Sequence, residues 1–213
     1  TCRKLNIPLN TVRQILALRD NREITNLLME YRQEAIHLSR YYQQVADDIL
    51  WYGEENSRIK AQKGPSAIRE TWLEEETVLA GAFSQDAQDY HVSLQQAAKE
   101  ALRSAPSIRR KYGYVLDMEG LPEGKFIKRR EYLKMKCPDD VPIAPESRYT
   151  LPAGRYAVFT LRIRQETADF SPLLNWLAAK NREIDAVYAE ELGLQLFAYL
   201  DDYYCEIKAH LKE

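Results

Sequence analysis

Nine apolar residues between positions 24 and 52, spaced alternately four and three residues apart, constrain the fold of this chain more than any other feature. They are Ile24, Leu28, Tyr31, Ala35, Leu38, Tyr42, Val45, Ile49 and Tyr52. This heptad spacing places one apolar stripe along a long helix. Asp20 and Glu23 form a capping box that begins the helix, and Gly64-Pro65 ends it.

A single helix of this length, roughly 54 Å, cannot bury its own apolar stripe. We therefore expect residues 21–62 to form a dimerisation coiled-coil helix that makes the protein a homodimer. Packing of the stripe against the rest of the chain is the alternative.

Composition excludes several classes of protein. The 213 residues are 45% apolar and 29% charged with a net charge of -2, which is typical of a soluble globular protein and gives no whole-chain basicity for nucleic-acid binding. No apolar run approaches the roughly 18 residues of a membrane span. Cys2, Cys137 and Cys205 form no C-x-x-C pair, which fits a reducing compartment. We expect a cytoplasmic protein without membrane contact.

After residue 64 the pattern changes to a strand–helix–strand–strand unit that occurs twice. The first unit has an extended segment at 70–84, a helix at 85–103 and strands at 112–118 and 125–136. The second has a strand at 155–163, a helix that Ser171 caps, and strands at 194–200 and 203–211; residues 182–191 either prolong this helix or begin the next strand. The fold class is α+β: the long coiled-coil helix, then a duplicated β-α-β-β antiparallel sheet with both helices on one face.

The last two predicted strands divide their side chains between two faces. If Asp201-Asp202 form a two-residue turn, Phe197 stands opposite Glu206. One face is then apolar and is covered by the helices, whereas the other is aromatic. The predicted ligand-binding residues are Tyr114, Tyr156, Phe197, Tyr199, Tyr204 and Glu206.

Tyrosine rings around a carboxylate suit a small hydrophobic ligand, including a cationic one. The alternative is that Glu206 lies on an exposed strand and pairs with Lys208, Lys180 or an Arg, with no functional role.

Other chemistry has little support in the sequence. His37, His91 and His210 lack metal-ligand spacing, so we expect no metal site. The commonest nucleotide and hydrolase motifs are missing, and we expect no cofactor and no catalytic residue. The basic segment 125–136 is typical of a solvated strand face rather than a nucleic-acid platform.

Four short segments, in this order along the chain, resemble the MerR family of transcription regulators with a gyrase-inhibitor-like (GyrI-like) effector domain. Residues 3–16, RKLNIPLNTVRQIL, are similar to the family's segment after the winged helix-turn-helix. Residues 151–156, LPAGRY, resemble the strand opening between the two halves of the effector domain, and Trp176-Leu177 and 206–208, EIK, also match. The resemblance covers nearly the whole chain.

The resemblance implies four segments: 1–20 as a remnant of the DNA-binding-domain helix, 21–62 as the dimerisation helix, 63–69 as a linker and 70–213 as the GyrI-like effector-binding domain. It also implies multidrug sensing, with DNA bound only through an N-terminal winged helix-turn-helix that is missing from this chain. In such regulators, effector binding twists a promoter into an activating geometry.

One position departs from the family pattern. Drug-sensing relatives carry an acidic residue on the penultimate strand, where this sequence has Gln195. The charge then comes from Glu206, Glu190 or Glu191, or the effector is not a cation. Two other functions stay open: a GyrI-like hydrolase with Glu206 as general base, and a coiled-coil adaptor that binds another protein.

Overall fold

The computed structural model describes residues 7–18, 20–61, 66–81, 94–96, 98–99, 110–135, 144–193 and 201–212. The chain divides into two units, Thr1–Ala46 and Asp47–Glu213. The class is α+β, a long N-terminal helix followed by a curled, eight-stranded antiparallel sheet, as the sequence predicted.

The first unit contains helix α1, Leu9–Ala17, and the start of helix α2, which runs over Asn21–Ala61. The Asp20 carboxylate accepts a hydrogen bond from the Arg22 amide at 2.9 Å, so it caps α2 as an aspartate at that position should. On the apolar stripe, Leu38 is 44% exposed and Tyr42 is 65% exposed. The stripe is therefore accessible there, and its pairing with a second copy stays a prediction.

The second unit contains eight strands and helix α3, Ser171–Lys180. The strands are β1 Arg69–Leu73, β2 Glu76–Ala80, β3 Arg110–Leu116, β4 Lys128–Met135, β5 Arg148–Leu151, β6 Gly154–Arg164, β7 Ile184–Leu192 and β8 Asp202–Leu211. Residues 94–96 and 98–99 are helical, within the span where the sequence predicted a helix. Short 3-10 turns occupy Leu121–Glu123 and Pro145–Ser147.

The strand order β1-β6-β8-β7-β3-β4-β2-β5 shows that the two halves of the sheet exchange strands. Strand β1 precedes β2 in the chain but pairs with β6, and β5 precedes β6 but pairs with β2. Each half thus adds its first short strand to the edge of the other half. The β-α-β-β order of the second half, β6-α3-β7-β8, is the predicted one.

The sequence predicted the wrong partner for the last strand, β8. Strand β8 lies between β6 and β7, and Glu206 stands opposite Thr160 on one side and Glu190 on the other, not opposite Phe197. Residues 182–191 therefore supply most of a strand, and 194–200 lie outside the described residues. Strand β7 is buried on both faces over much of its length, so it lacks the apolar–polar alternation by which the sequence could have revealed it.

The two faces of the sheet differ as predicted. The helix-covered face holds the larger core, in which Phe159, Ile207 and Val187 pack with Leu173 and Leu177 of α3. The opposite face, which we call the front face, carries a second cluster of buried residues. Its members are Val78, Ala80, Tyr132, Leu151, Tyr156, Val158 and Tyr188.

The cap of α3 differs from the prediction. The Asp169 carboxylate accepts a hydrogen bond from the Ser171 amide at 3.0 Å, and no side-chain cap comes from Ser171. A hydrogen bond with the Ser171 side chain, together with the one from the Ser171 amide, holds the pKa of Asp169 below its ordinary value.

The C-terminal part of α2 contacts the start of β3. The hydroxyl of Tyr52 accepts a hydrogen bond from the Arg110 amide at 3.2 Å and lies 3.4 Å from the Arg110 carbonyl oxygen. Lys111 pairs with Glu55 at 3.0 Å and lies over the ring of Trp51. Within the second unit, this part of the helix is therefore joined to a central strand of the sheet.

Candidate functional site

A cleft of about 290 Å³ opens on the front face where the two halves exchange strands. The β1–β2 and β5–β6 connections both contribute to its wall, and strands β4, β6, β7 and β8 supply the rest. Its lining residues are Leu73, Glu74, Glu75, Glu76, Lys134, Leu151, Pro152, Tyr156, Tyr188 and Lys208.

Two tyrosines give the cleft an aromatic wall. The rings of Tyr156 and Tyr188 lie 6.3 Å apart. The Tyr156 hydroxyl donates to the Pro152 carbonyl oxygen at 2.6 Å, and the Tyr188 hydroxyl lies 3.4 Å from that of Tyr149. Burial, together with the Asp185 carboxylate, raises the pKa of Tyr156 to about 12. Tyr156 therefore stays a neutral phenol at physiological pH.

Beneath this wall lies a buried ion-pair network centred on Glu190. The Glu190 carboxylate is 2.6 Å from the Lys208 ammonium and 3.5 Å from the Lys134 ammonium. Lys134 also pairs with Glu76 at 2.6 Å, and Lys208 lies 3.6 Å from Glu206. Because the Glu190 side chain is only 3% exposed, its own ion pairs act with less screening by water than the partly exposed pair of Lys134 and Glu76.

The lysines decide the charge state of Glu190. Burial alone would raise the pKa of this carboxyl, but Lys208 and Lys134 outweigh it and hold the pKa below its ordinary value. Burial likewise lowers the pKa of Lys134, while Glu190 and Glu76 more than reverse that effect and raise it. Glu190 and Lys134 are therefore both ionised at neutral pH.

A glycine opposite a tyrosine shapes the sheet beside this network. Gly113 on β3 pairs with Tyr132 on β4 and with Glu190 on β7. A Cβ atom at Gly113 would lie 2.1 Å from Cζ of Tyr132, so only glycine leaves room for the ring. Tyr132 is fully buried, and its hydroxyl has no hydrogen-bond partner among the described residues.

The predicted site residues do not all meet in this cleft. Tyr156 lines it, whereas Glu206 lines a second depression of about 180 Å³ with Thr160 and Leu192. Tyr204 pairs with Arg162, six residues along β6 from Tyr156, so the two tyrosines are separated by about 20 Å along the strand. Phe197 and Tyr199 lie outside the described residues.

Tyr114 lies on the other face of the sheet. It packs in the helix-covered core against Phe126, and its hydroxyl donates to the Glu191 carboxylate. Burial raises the pKa of Tyr114 well above its ordinary value, and burial also raises that of Glu191. Tyr114 and Glu191 therefore cannot line a cleft on the front face.

Sequence reasoning missed Tyr188, Lys134 and Lys208 as cleft residues, and it left Glu190 as one of three candidates for the acidic group. Among the described strands β7 comes just before β8 in the chain, and Glu190 is its acidic front-face residue; Gln195 lies outside the described residues. The sequence contained one signal for this site. Tyr188 and Glu190 are two residues apart, and residues two apart on a strand share a face, so an aromatic ring and a carboxylate would lie side by side.

Two kinds of feature are missing from the described ranges. No three His, Cys, Asp or Glu side chains in these ranges are grouped so that they could hold a metal ion. None of the described helices has both the length and the apolar character needed to cross a membrane.

Comparison with known proteins gives structural likeness only. No family model matches the sequence, and no curated protein matches it significantly. The chain resembles EcmrR in the EcmrR–DNA complex, with 10% identity and a TM-score of 0.48 over 99% of this chain and 80% of that one. It also resembles SAV2435 bound to tetraphenylphosphonium, with 14% identity and a TM-score of 0.39 over 69% of this chain and 94% of the other.

A third solved structure is the hydrolase encoded by lin2189 from Listeria innocua. Its identity is 11% and its TM-score is 0.43, over 76% of this chain and 98% of that protein. These low identities leave the function to be argued from the cleft itself.

Proposed function

We propose that this chain is the effector-sensing and dimerisation part of a MerR-type transcription regulator, and that it binds a small hydrophobic ligand in the front-face cleft. DNA would be contacted by a winged helix-turn-helix that precedes these residues. The observation that supports ligand binding most strongly is the cleft of about 290 Å³, with two tyrosine rings in its wall and an ionised network beneath it.

This combination is typical of a binding site for a small organic molecule. An apolar and aromatic wall supplies most of the binding free energy, and a few fixed polar groups select the orientation of the ligand. Leu73 and Leu151 extend the apolar surface beside the tyrosines. The site residues that we propose are therefore Tyr156, Tyr188, Lys134 and Lys208, with Glu190 behind the lysines.

A route from the cleft to the long helix supports the sensing role. Glu190 pairs with Gly113 on β3, and three residues earlier Arg110 is held by Tyr52 of α2. A ligand can change the state of the protein only if it binds two states with different affinity. A small shift of β3 that accompanies binding would be passed to the C-terminal part of α2 through this contact.

Hydrolysis is less well supported. A general base works best with a pKa near the working pH, and the pKa of Glu190 is instead lowered by its lysines. Glu206, the base considered from sequence, lies 3.6 Å from both Lys208 and Arg69. Both carboxylates are thus already engaged in ion pairs.

A melting-temperature screen tests ligand binding. The panel should contain lipophilic cations, neutral aromatic compounds and aromatic anions. A ligand at 100 times its Kd stabilises the folded protein by about 2.7 kcal/mol, which for this length corresponds to a shift of about 5–10 °C.

The Tyr188→Ala variant should lose most of that shift, because it removes one aromatic wall. The Tyr41→Ala variant is the matched control, since Tyr41 is exposed on α2 in the other unit and lies one residue off the apolar stripe. If no compound shifts the melting temperature, or if both variants lose the shift equally, the cleft is not the proposed site. An adaptor that buries this face against another protein would give the first of these results.

A further inference from the structure

We propose that the cleft selects an apolar ligand that carries a hydrogen-bond acceptor, such as a carbonyl, a ring nitrogen or a carboxylate, and that it discriminates against lipophilic cations. This inference rests on the proposed ligand-binding function and names the ligand class. It follows from the order in which charged groups occur between the cleft and the core of the sheet.

Two ammonium groups line the ligand space, together with the carboxylates of Glu74, Glu75 and Glu76. Lys134 and Lys208 are among the residues that line the cleft, whereas Glu190 is not. The Glu190 carboxylate lies behind them, 2.6 Å from Lys208 and 3.5 Å from Lys134. A cation would therefore have to approach two ammonium groups before it reached the buried Glu190 carboxylate. Of the lining carboxylates, Glu76 is already paired with Lys134, and Glu74 and Glu75 are exposed.

The carboxylates near the cleft are already paired or solvated. Glu190 pairs with Lys208 and Lys134, Glu76 with Lys134, and Glu206 with Lys208. A lipophilic cation would lose its hydration in the cleft and find no unpaired buried carboxylate there in return. Glu74 and Glu75 line the cleft too, but both are exposed, and water and salt screen exposed charges much more than buried ones.

An acceptor, in contrast, finds donors in place. Each ammonium has three N–H groups. In the described part of the chain, Lys208 uses two of these directions toward Glu190 and Glu206, and Lys134 uses two toward Glu76 and Glu190. The third N–H of each lysine suits a ligand oxygen or nitrogen, and a bond to a charged donor is among the stronger hydrogen bonds.

Three probes of nearly the same shape test this inference. They are 4-phenylpyridine, a neutral acceptor; biphenyl-4-carboxylate, an anionic acceptor; and N-methyl-4-phenylpyridinium, a cation without an acceptor. Their Kd values should be measured by calorimetry at pH 8, where the first probe is neutral. We expect at least one acceptor probe to bind the unmodified protein ten or more times as tightly as the cation.

Lys208→Gln should reverse this preference. The variant uncovers Glu190, so the cation should bind at least ten times as tightly as it binds the unmodified protein, while both acceptor probes weaken. The double variant Lys208→Gln/Glu190→Gln removes both charges and should lose the gain in cation affinity. Lys212→Gln is the matched control, because Lys212 pairs with the surface residue Glu183 and should leave every Kd unchanged.

The outcomes separate the two proposals. If the cation binds the unmodified protein most tightly, or if the ratio of Kd values is the same in Lys208→Gln, the assignment of the ligand class is wrong and the binding function stands. If none of the probes binds the unmodified protein or any variant, the cleft is not a site for compounds of this kind and both proposals fail. If Lys208→Gln does not fold, the Kd values of the three probes for the unmodified protein and for the double variant test the assignment of the ligand class.

Discussion

Glu190 and Glu191 are neighbours on β7, yet their side chains lie on opposite faces of the sheet and their pKa values are displaced in opposite directions. Lys208 and Lys134 lower the pKa of Glu190 against the effect of burial, whereas burial raises the pKa of Glu191 despite the hydrogen bond from Tyr114. The two positions therefore act as controls for each other in experiments on pH and stability.

Glu190→Gln should destabilise the protein at pH 7 by about 3 kcal/mol, because it leaves two lysines without their buried partner. A carboxyl whose pKa is lowered by folding contributes stability above its unfolded pKa and loses it as the pH falls through the folded pKa. In chemical denaturation, the free energy of unfolding of the variant should thus fall below that of the unmodified protein by the whole amount at pH 7, and this difference should shrink below about pH 4. A deficit independent of pH would show that the ion pairs do not hold the carboxylate.

Glu191→Gln should show the opposite trend. Because folding raises the pKa of Glu191, its ionisation penalises the folded state, and this penalty grows as the pH rises from its unfolded pKa through its folded pKa. Relative to the unmodified protein, the melting temperature of the variant should increase between pH 4 and pH 7. The same trend in Glu190→Gln and Glu191→Gln would contradict the placement of these residues on different faces.

Gly113→Ala should destabilise the sheet by about 1–3 kcal/mol, since the added methyl group would overlap the Tyr132 ring. Gly53→Ala is the matched control. No atom lies within 4 Å of a Cβ built at Gly53, which sits inside α2, so alanine there should stabilise by about 0.5–1 kcal/mol. Urea denaturation should show that the free energy of unfolding falls in Gly113→Ala and rises in Gly53→Ala. Equal effects would mean that Tyr132 does not pack against Gly113.

Asp169→Ala should cost about 1 kcal/mol because it removes the cap of α3, whereas Asp169→Asn retains an acceptor and should cost much less. Ser171→Ala removes the side-chain hydrogen bond to Asp169 but leaves the amide that donates to it, so it should cost less than Asp169→Ala. If Ser171→Ala costs more than Asp169→Ala, the sequence-based assignment of Ser171 as the cap was correct after all.

Leu38→Glu should convert the proposed homodimer to a monomer, because Leu38 lies on the heptad stripe and a buried charge without a partner is costly in a helix interface. Ser39→Glu adds the same side chain one residue off the stripe and should leave the dimer intact. Sedimentation velocity distinguishes the two states. An unmodified protein that sediments as a monomer at high concentration would refute dimerisation.

The amino-acid sequence by itself determined the elements whose periodicity is complete. The helix that begins beside Asp20 follows from its heptad pattern, and the two faces of β8 follow from the alternation of its apolar and polar residues. The tertiary structure decided which strand pairs with β8, because β7 is buried on both faces and carries no alternating pattern.

Tertiary structure alone also decided the composition of the site. Tyr156, Tyr188, Lys134 and Lys208 come from four different strands, and only the strand order brings them to one cleft. Likewise, the charge of a carboxylate depends on its three-dimensional neighbours: Glu190 and Glu191 are identical in sequence terms, but one faces two lysines and the other a buried tyrosine.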